Sequence, residues 1–282
     1  MNNTKAIVNK IIPFSSVDGP GNRTAIFLQG CNINCKYCHN PETRAYCINC
    51  GLCVSACPVN ALKLENGTIS YDRDVCVRCD TCIKLCPNDS SPRTTLMTAS
   101  EVYNEVRKQI PFIRGITVSG GECMLNPDFI RELFILAKKD NLSTLIDSNG
   151  TISFREHTEL LKVTDGVMLD IKSYDSEAHI RVTDVDNDVV IDNAIFLASI
   201  NKLQEVRAVI APSLYDGEES IKGIAALLES YNKEHAIPIK IIAYRPMGVR
   251  QEYADMSVPT GEYLNHLKDI LTNHGFQHII II

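Results

Sequence analysis

Short apolar runs recur along this chain, separated by amphipathic stretches of helical period, and each run ends on glycine or a polar group. Residues 24–29 (Thr-Ala-Ile-Phe-Leu-Gln) are mostly apolar and followed by glycine, which predicts a buried strand. The pattern returns at 115–119, 143–147, 166–170, 205–210 and 240–243. Between these runs, 98–110 reads as a helix opened by a capping box, Thr98 with Glu101. Asn126-Pro127 reads as the N-cap and first turn of a helix to about 139. Six βα units imply parallel strands joined by right-handed crossovers. Six rather than eight implies an α/β fold of incomplete, TIM-like (β/α)6 barrel type. Residues 6–14, also apolar, are expected to make a short extended element covering one end of the core, and 17–23 form a turn rich in glycine and proline. Barrels of this kind carry their chemistry at the C-terminal ends of the strands. The polar groups just after each strand are therefore the candidates.

At 282 residues the chain is an ordinary length for one such barrel. A formal charge of -6 and a pI near 5.7 give no electrostatic case for nucleic acid. No apolar run approaches the roughly 20 residues of a membrane span. Residues 1–5 lack the apolar core of a signal peptide, so a cytoplasmic protein is expected.

Cysteine changes the picture. Eleven of twelve lie between Cys31 and Cys86. Disulfide-dense proteins are small domains lacking a core; here a long cysteine-poor α/β segment follows, which favours metal-bound thiolates in a reducing compartment. Cys31, Cys35 and Cys38 directly follow the first strand. A closed [4Fe–4S] cluster takes four cysteines. Three leave one iron with an open position, as a catalytic zinc keeps one open, and soft thiolates favour iron–sulfur over hard cations. A zinc knuckle with His39 as fourth ligand is the alternative.

Cys47, Cys50, Cys53 and Cys57-Pro58 then recur 29 residues later as Cys76, Cys79, Cys82 and Cys86-Pro87. This is the two-cluster ferredoxin run, in which the fourth cysteine of each run ligates the other cluster. Cys47, Cys50 and Cys53 are thus paired with Cys86, and Cys76, Cys79 and Cys82 with Cys57; two zinc sites are the alternative. Asn66-Gly67 between the runs marks a hairpin. The expected domains are 1–44, the start of the barrel; 45–92, a ferredoxin-like insert with two [4Fe–4S] clusters; and 93–282, the rest of the barrel. Cys123, outside these groups, reads as a free thiol.

The three-cysteine loop with Tyr37 resembles the signature of the radical S-adenosylmethionine (SAM) enzymes. Val17-Asp18-Gly19-Pro20-Gly21-Asn22-Arg23 and Cys38-His39-Asn40-Pro41 resemble the activating enzymes of glycyl-radical enzymes, and the extra cysteines a dicluster, YjjW-type subfamily. The resemblance implies the same open (β/α)6 crescent, three [4Fe–4S] clusters and SAM as cofactors. It also implies hydrogen abstraction from a glycine of a partner glycyl-radical enzyme by a radical made from SAM; the alternatives are a radical SAM enzyme acting on a small molecule with auxiliary clusters, and a dicluster electron-transfer protein. Gly120, Gly121 and Glu122 would hold the SAM amino group, with Gly121 at the backbone contact. Asp170, Ile171 and Lys172 would form a SAM-contacting run, with Tyr37 and His39 against the adenine. Lys172 and Arg207 suit the SAM carboxylate, while Asp147 and Asp170 are placed to share a monovalent cation. Arg245 stands where relatives carry histidine, and its geometry differs from that of histidine. Asp18, Gly19 and Gly21 would hold the partner's glycine loop. A flavodoxin or ferredoxin is the expected electron donor, and the chain is expected to be a monomer.

Overall fold

A computed structural model describes residues 4–233 and 236–282. Its strands are β1 (Lys5–Ser15), β2 (Arg23–Leu28), β3 (Leu62–Glu65), β4 (Thr68–Tyr71), β5 (Thr95–Thr98) and β6 (Gly115–Gly120). They continue with β7 (Ser143–Ser148), β8 (Gly166–Asp170), β9 (Leu203–Ile210), β10 (Ile239–Ala243) and β11 (Ile279–Ile281). Nine form one sheet in the order β11-β10-β9-β8-β7-β6-β2-β1-β5. From β2 to β11 every pair is parallel, and each new strand lies beside the last. Right-handed crossovers that always step the same way leave their helices on one face. This is barrel winding, left open because β5 and β11 remain edges.

The six expected βα units are present, and β11 adds a seventh parallel strand. Segment 6–14 is extended, as expected, and forms most of β1, which pairs antiparallel with β2 and, on its other edge, with β5. Two register shifts in the β1–β2 ladder break the period of two that marks a strand in sequence.

Period-two alternation assigns the two faces of the sheet. Ile26, Leu28, Ile116, Val118, Ile146, Val167, Leu169, Val206 and Ala208 belong to the buried apolar cluster shared with the helices. The residues between them include Thr117, Ser119, Asp147, Asp170 and Arg207, which face the interior of the crescent. Helix Pro127–Lys139 shows how the outer layer is held: Phe129, Ile130, Leu133, Phe134 and Ala137 make one buried stripe. Each large side chain there contributes roughly 1.5–3 kcal/mol. The capping box at Thr98 is formed, with Glu101 N donating to Thr98 Oγ1 (3.1 Å) and Thr98 N to Glu101 Oε2 (2.7 Å). Asn126 does not cap its helix through its side chain; its backbone (φ -128°, ψ 53°) lies outside the extended region.

The insert leaves and rejoins the barrel at one point. Ala45 bridges Ser90, and Ala45 N donates to Asp89 O (3.1 Å). Within it, β3 and β4 form the expected hairpin, with Asn66 (φ 50°) and Gly67 (φ 76°) in its turn. Among the described residues no helix is long and apolar enough to cross a membrane.

Candidate functional site

The cysteine loop follows β2 and is seated by backbone from several directions. Gly30 N donates to Thr43 O and Cys31 N to Arg44 O, both at 2.8 Å. Asn34 N reaches Thr183 O (2.9 Å) and Lys36 N reaches Val182 O (3.0 Å), at the end of helix Ser176–Thr183. The Gly120-Gly121 pair serves this seat directly. Gly121 N donates to Leu28 O (3.0 Å) and Glu122 N to Gly30 O (2.7 Å). A Cβ on Gly121 would stand 2.2 Å from Gly30 O, so a side chain there would lift the loop off the sheet. Glu122 is buried: Oε1 accepts from Met124 N (2.8 Å) and Ser148 Oγ (2.9 Å), and Oε2 from Asn149 N (2.7 Å). Burial outweighs these donors and pushes its carboxyl up to about 7. Asn149 Nδ2 in turn lies 3.8 Å from Cys31 Sγ.

Burial also governs the thiols. It pushes Cys31 up to about 11 and Cys35 up to about 12, and it raises Cys38. The Lys172 ammonium opposes the rise at all three. Its Nζ binds Asp170 Oδ2 (2.7 Å) and lies 5.9 Å from the centre of the Tyr37 ring. Burial works against this ammonium, but the Asp170 carboxylate outweighs it and its pKa is raised. Tyr37 is buried and its hydroxyl donates to Lys172 O (3.4 Å). Ile171, also buried, donates its N–H to Arg207 O (2.9 Å). His39 Nε2 is 3.0 Å from Arg245 O, which brings those two expected residues together, although Arg245 itself is exposed.

Asp147 and Asp170 each hold a cationic side chain. Asp147 Oδ1 pairs with Arg207 Nη1 (2.9 Å) and its Oδ2 accepts from Ser119 Oγ (2.9 Å), while Asp170 has Lys172. Arg207 is held by two further contacts. Its Nε binds Glu205 Oε1 (2.6 Å) and its Nη2 meets Met168 Sδ (3.1 Å). Strand register is the cause, since Asp147 lies opposite Met168, and Met168 opposite Glu205, on the same inner face. Lys240 extends the network to Glu205 (2.9 Å). The Asp18 segment enters this interior from the opposite end of the strands. Thr117 Oγ1 donates to Asp18 O (2.6 Å), Ser15 Oγ donates to the Asp18 carboxylate, and Gly19 packs against Leu145. Buried Arg23 fastens its base through Thr117 Oγ1 (2.8 Å), Ser143 Oγ (2.8 Å) and Ile116 O (2.6 Å). Gly21, with φ 74°, lies outside the sheet against Arg114.

A family model for the Radical SAM superfamily matches residues 25–228. The chain belongs to that superfamily. The indoleacetate decarboxylase activating enzyme of Tractidigestivibacter scatoligenes is 29% identical over 98% of this chain and 97% of its own length. The isethionate sulfite-lyase activating enzyme of Oleidesulfovibrio alaskensis is 32% identical over 92% of this chain and 90% of its own. A domain of pyruvate-formate lyase-activating enzyme from Bacteroides vulgatus shares the fold, with a TM-score of 0.51 at 24% identity over 60% of this chain and 98% of that one.

In this radical SAM chain the three thiols of the loop fit a [4Fe–4S] cluster. Left to the protein they stay protonated, and a cluster that takes their charge removes that penalty. The zinc knuckle does not fit as well: His39 turns to Arg245 O. Among the described residues, no group of three or more His, Cys, Asp or Glu is arranged to hold a single metal ion.

The eight insert cysteines repeat in backbone as well as in sequence. Asn49, Gly51 and Asn60 have positive φ (57°, 79°, 53°), and so do Arg78, Asp80 and Asp89 (56°, 62°, 43°), each 29 residues on. Asn49 N and Arg78 N each donate at 3.4 Å to the sulfur two residues earlier, Cys47 and Cys76. Cys57, Cys76, Cys79 and Cys82 line one small cavity, which fits the donor set of a closed cluster. Cys123 is fully buried and donates to Asp147 O (3.3 Å).

Sequence reasoning missed Arg250. Its Nη2 donates to Cys35 O (3.3 Å) and its Nη1 is 3.6 Å from Asp89, so it ties the cysteine loop to the exit of the insert. It sits in an irregular segment that carries no periodic signal.

Proposed function

We propose that this radical SAM protein is the activating enzyme of a glycyl-radical enzyme. The observation that carries the reading is the three-cysteine loop seated on Gly120-Gly121 beside Lys172, in a chain whose relatives along nearly its whole length are activating enzymes. When bound, the loop cluster with SAM supplies, on one-electron reduction, a carbon radical able to take a hydrogen atom from a glycine Cα.

The protein's own residues orient and seclude. Lys172, fixed by Asp170, is the cation for the SAM carboxylate, and Tyr37 and His39 flank the adenine. Gly120 and Gly121 hold the loop against the sheet and leave the Gly121 backbone to the amino group. Glu122 keeps one lone pair of Oε2 for the same ammonium while its other bonds fix Asn149 near Cys31. Asp147 and Arg207, locked together, form a rigid polar floor with Ser119. Asp18, Gly19 and Gly21 receive the partner's glycine loop. The insert binds two further clusters, closed by four cysteines each, and passes electrons from flavodoxin or ferredoxin to the loop cluster. The chain works as a monomer in the cytoplasm.

The test is anaerobic incubation of the reconstituted protein with a candidate glycyl-radical enzyme, SAM and dithionite. The expected result is an organic radical on the partner's glycine by electron paramagnetic resonance (EPR). SAM cleavage coupled instead to consumption of a small molecule, with no partner radical, would contradict it.

A further inference from the structure

The two halves of the insert match in backbone but not in charge. Positions 29 residues apart correspond, and Arg93 corresponds to Leu64. The contact each makes is repeated too. Leu64 Cδ2 lies 3.1 Å from where a Cβ on Gly51 would stand, while Arg93 Nη2 binds Asp80 Oδ1 at 2.6 Å, and Gly51 corresponds to Asp80. An apolar contact in the first repeat has become an ion pair in the second. In that pair the Arg93 side chain is 17% exposed and Asp80 is 52% exposed, so the cation faces inward and the anion outward. Arg93 lines the small cavity formed by Cys57, Cys76, Cys79 and Cys82. Residues 45–65 have Lys63 as their one cation, on the exposed side of the hairpin.

We propose that Arg93 makes the two four-cysteine sites unequal, so that a cluster on Cys57, Cys76, Cys79 and Cys82 takes up an electron more readily than one on Cys47, Cys50, Cys53 and Cys86. The inference rests on the two-cluster reading of the insert. A cluster that gains one electron gains one negative charge, and a fixed cation beside its thiolates favours that state. Local charge and hydrogen bonds to sulfur are among the factors that set cluster potentials, and a guanidinium keeps its charge at every working pH. Asp80 acts as a positioning residue that holds Arg93 over the cysteines. In the module carrying a single added electron, that electron rests on the second-repeat cluster.

The experiment is an anaerobic redox titration of the reconstituted full-length protein, followed by EPR with iron counted per chain. Arg93→Leu, which installs the residue of the first repeat, should lower the higher insert midpoint by at least about tenfold in electron affinity, about 59 mV for one electron. Arg93→Lys should keep most of the wild-type value. Leu64→Arg, the reciprocal graft, should raise the lower midpoint and narrow the gap. An unchanged higher midpoint in Arg93→Leu, with both insert clusters counted, overturns the proposal. If that variant fails to assemble its cluster, an unchanged lower midpoint in Leu64→Arg does so. Iron near four per wild-type chain would overturn the two-cluster reading itself, and the proposal with it, and is told apart by the count alone.

Discussion

The cysteine loop of the barrel has no exposed thiol, whereas the runs of the insert combine buried Cys53 and Cys82 with exposed Cys50 and Cys79. Cys35 is buried beneath helix and strand backbone, and burial pushes its thiol up to about 12. Cys79 is exposed, and hydrogen bonds from Thr81 lower it. At Cys76 burial is outweighed by the Arg78 N–H, Tyr71 and Arg93, and the thiol is also lowered. A site that must exclude water from a reactive radical needs the first environment. A site that only passes electrons needs to lie near the surface, where a donor can approach. On the proposed function, this contrast is that between a reaction chamber and a relay.

Alkylation of the metal-free protein should show the difference between Cys35 and Cys79 most strongly. Thiolates are the reactive form, and part of the advantage of a low pKa is returned through weaker nucleophilicity. At mildly alkaline pH, Cys79 should still react on the order of 10²-fold faster than Cys35. Mass-spectrometric mapping over time reads this, and equal rates would erase the distinction of depth.

The buried side of the contrast predicts a pH effect at Glu122. Its folded pKa of about 7 lies above the ordinary carboxyl value of 4.5, so between these values the folded state holds a proton that the unfolded chain has lost. Stability should then fall as pH rises across that window, by about 3 kcal/mol in all. Glu122→Gln should flatten the trend in denaturant melts. A parallel slope in wild type and variant would show that Glu122 is not its source.

Smaller again is the effect expected at Lys172. Removing it alone would strand Asp170, so the paired change Asp170→Asn with Lys172→Met is the cleaner probe. SAM affinity should weaken by about 2 kcal/mol, roughly thirtyfold, with the iron content unchanged. Unaltered affinity would move the carboxylate site elsewhere. Arg250→Gln, which unties the cysteine loop from the insert, should cost about 1 kcal/mol and lower the melting temperature by a few degrees.

Much of this was legible in the chain. Residues 115–119 and 166–170 are short apolar runs between helical patterns, read as buried strands and found as such, and the 29-residue cysteine repeat carries through to the backbone dihedrals. What stayed hidden depended on register and on distant packing. The locking of Arg207 between Asp147 and Glu205 follows from how β7, β8 and β9 align, which no local pattern encodes. The seating of Asn34 and Lys36 on the end of helix Ser176–Thr183 joins segments far apart in sequence. The pairing of β1 with β2 and β5 also stayed hidden, because its register shifts disturb the alternation that identifies a sheet strand.

One measurement tests the division between chamber and relay most directly: formation of 5′-deoxyadenosine from SAM, driven in parallel by dithionite and by reduced flavodoxin, in Cys35→Ala and Cys82→Ala proteins. The account predicts that Cys35→Ala abolishes the product with either reductant. Cys82→Ala should lose it with flavodoxin yet keep much of it with dithionite. Product from Cys35→Ala, or its loss from Cys82→Ala with dithionite while the loop cluster is intact, would contradict the account.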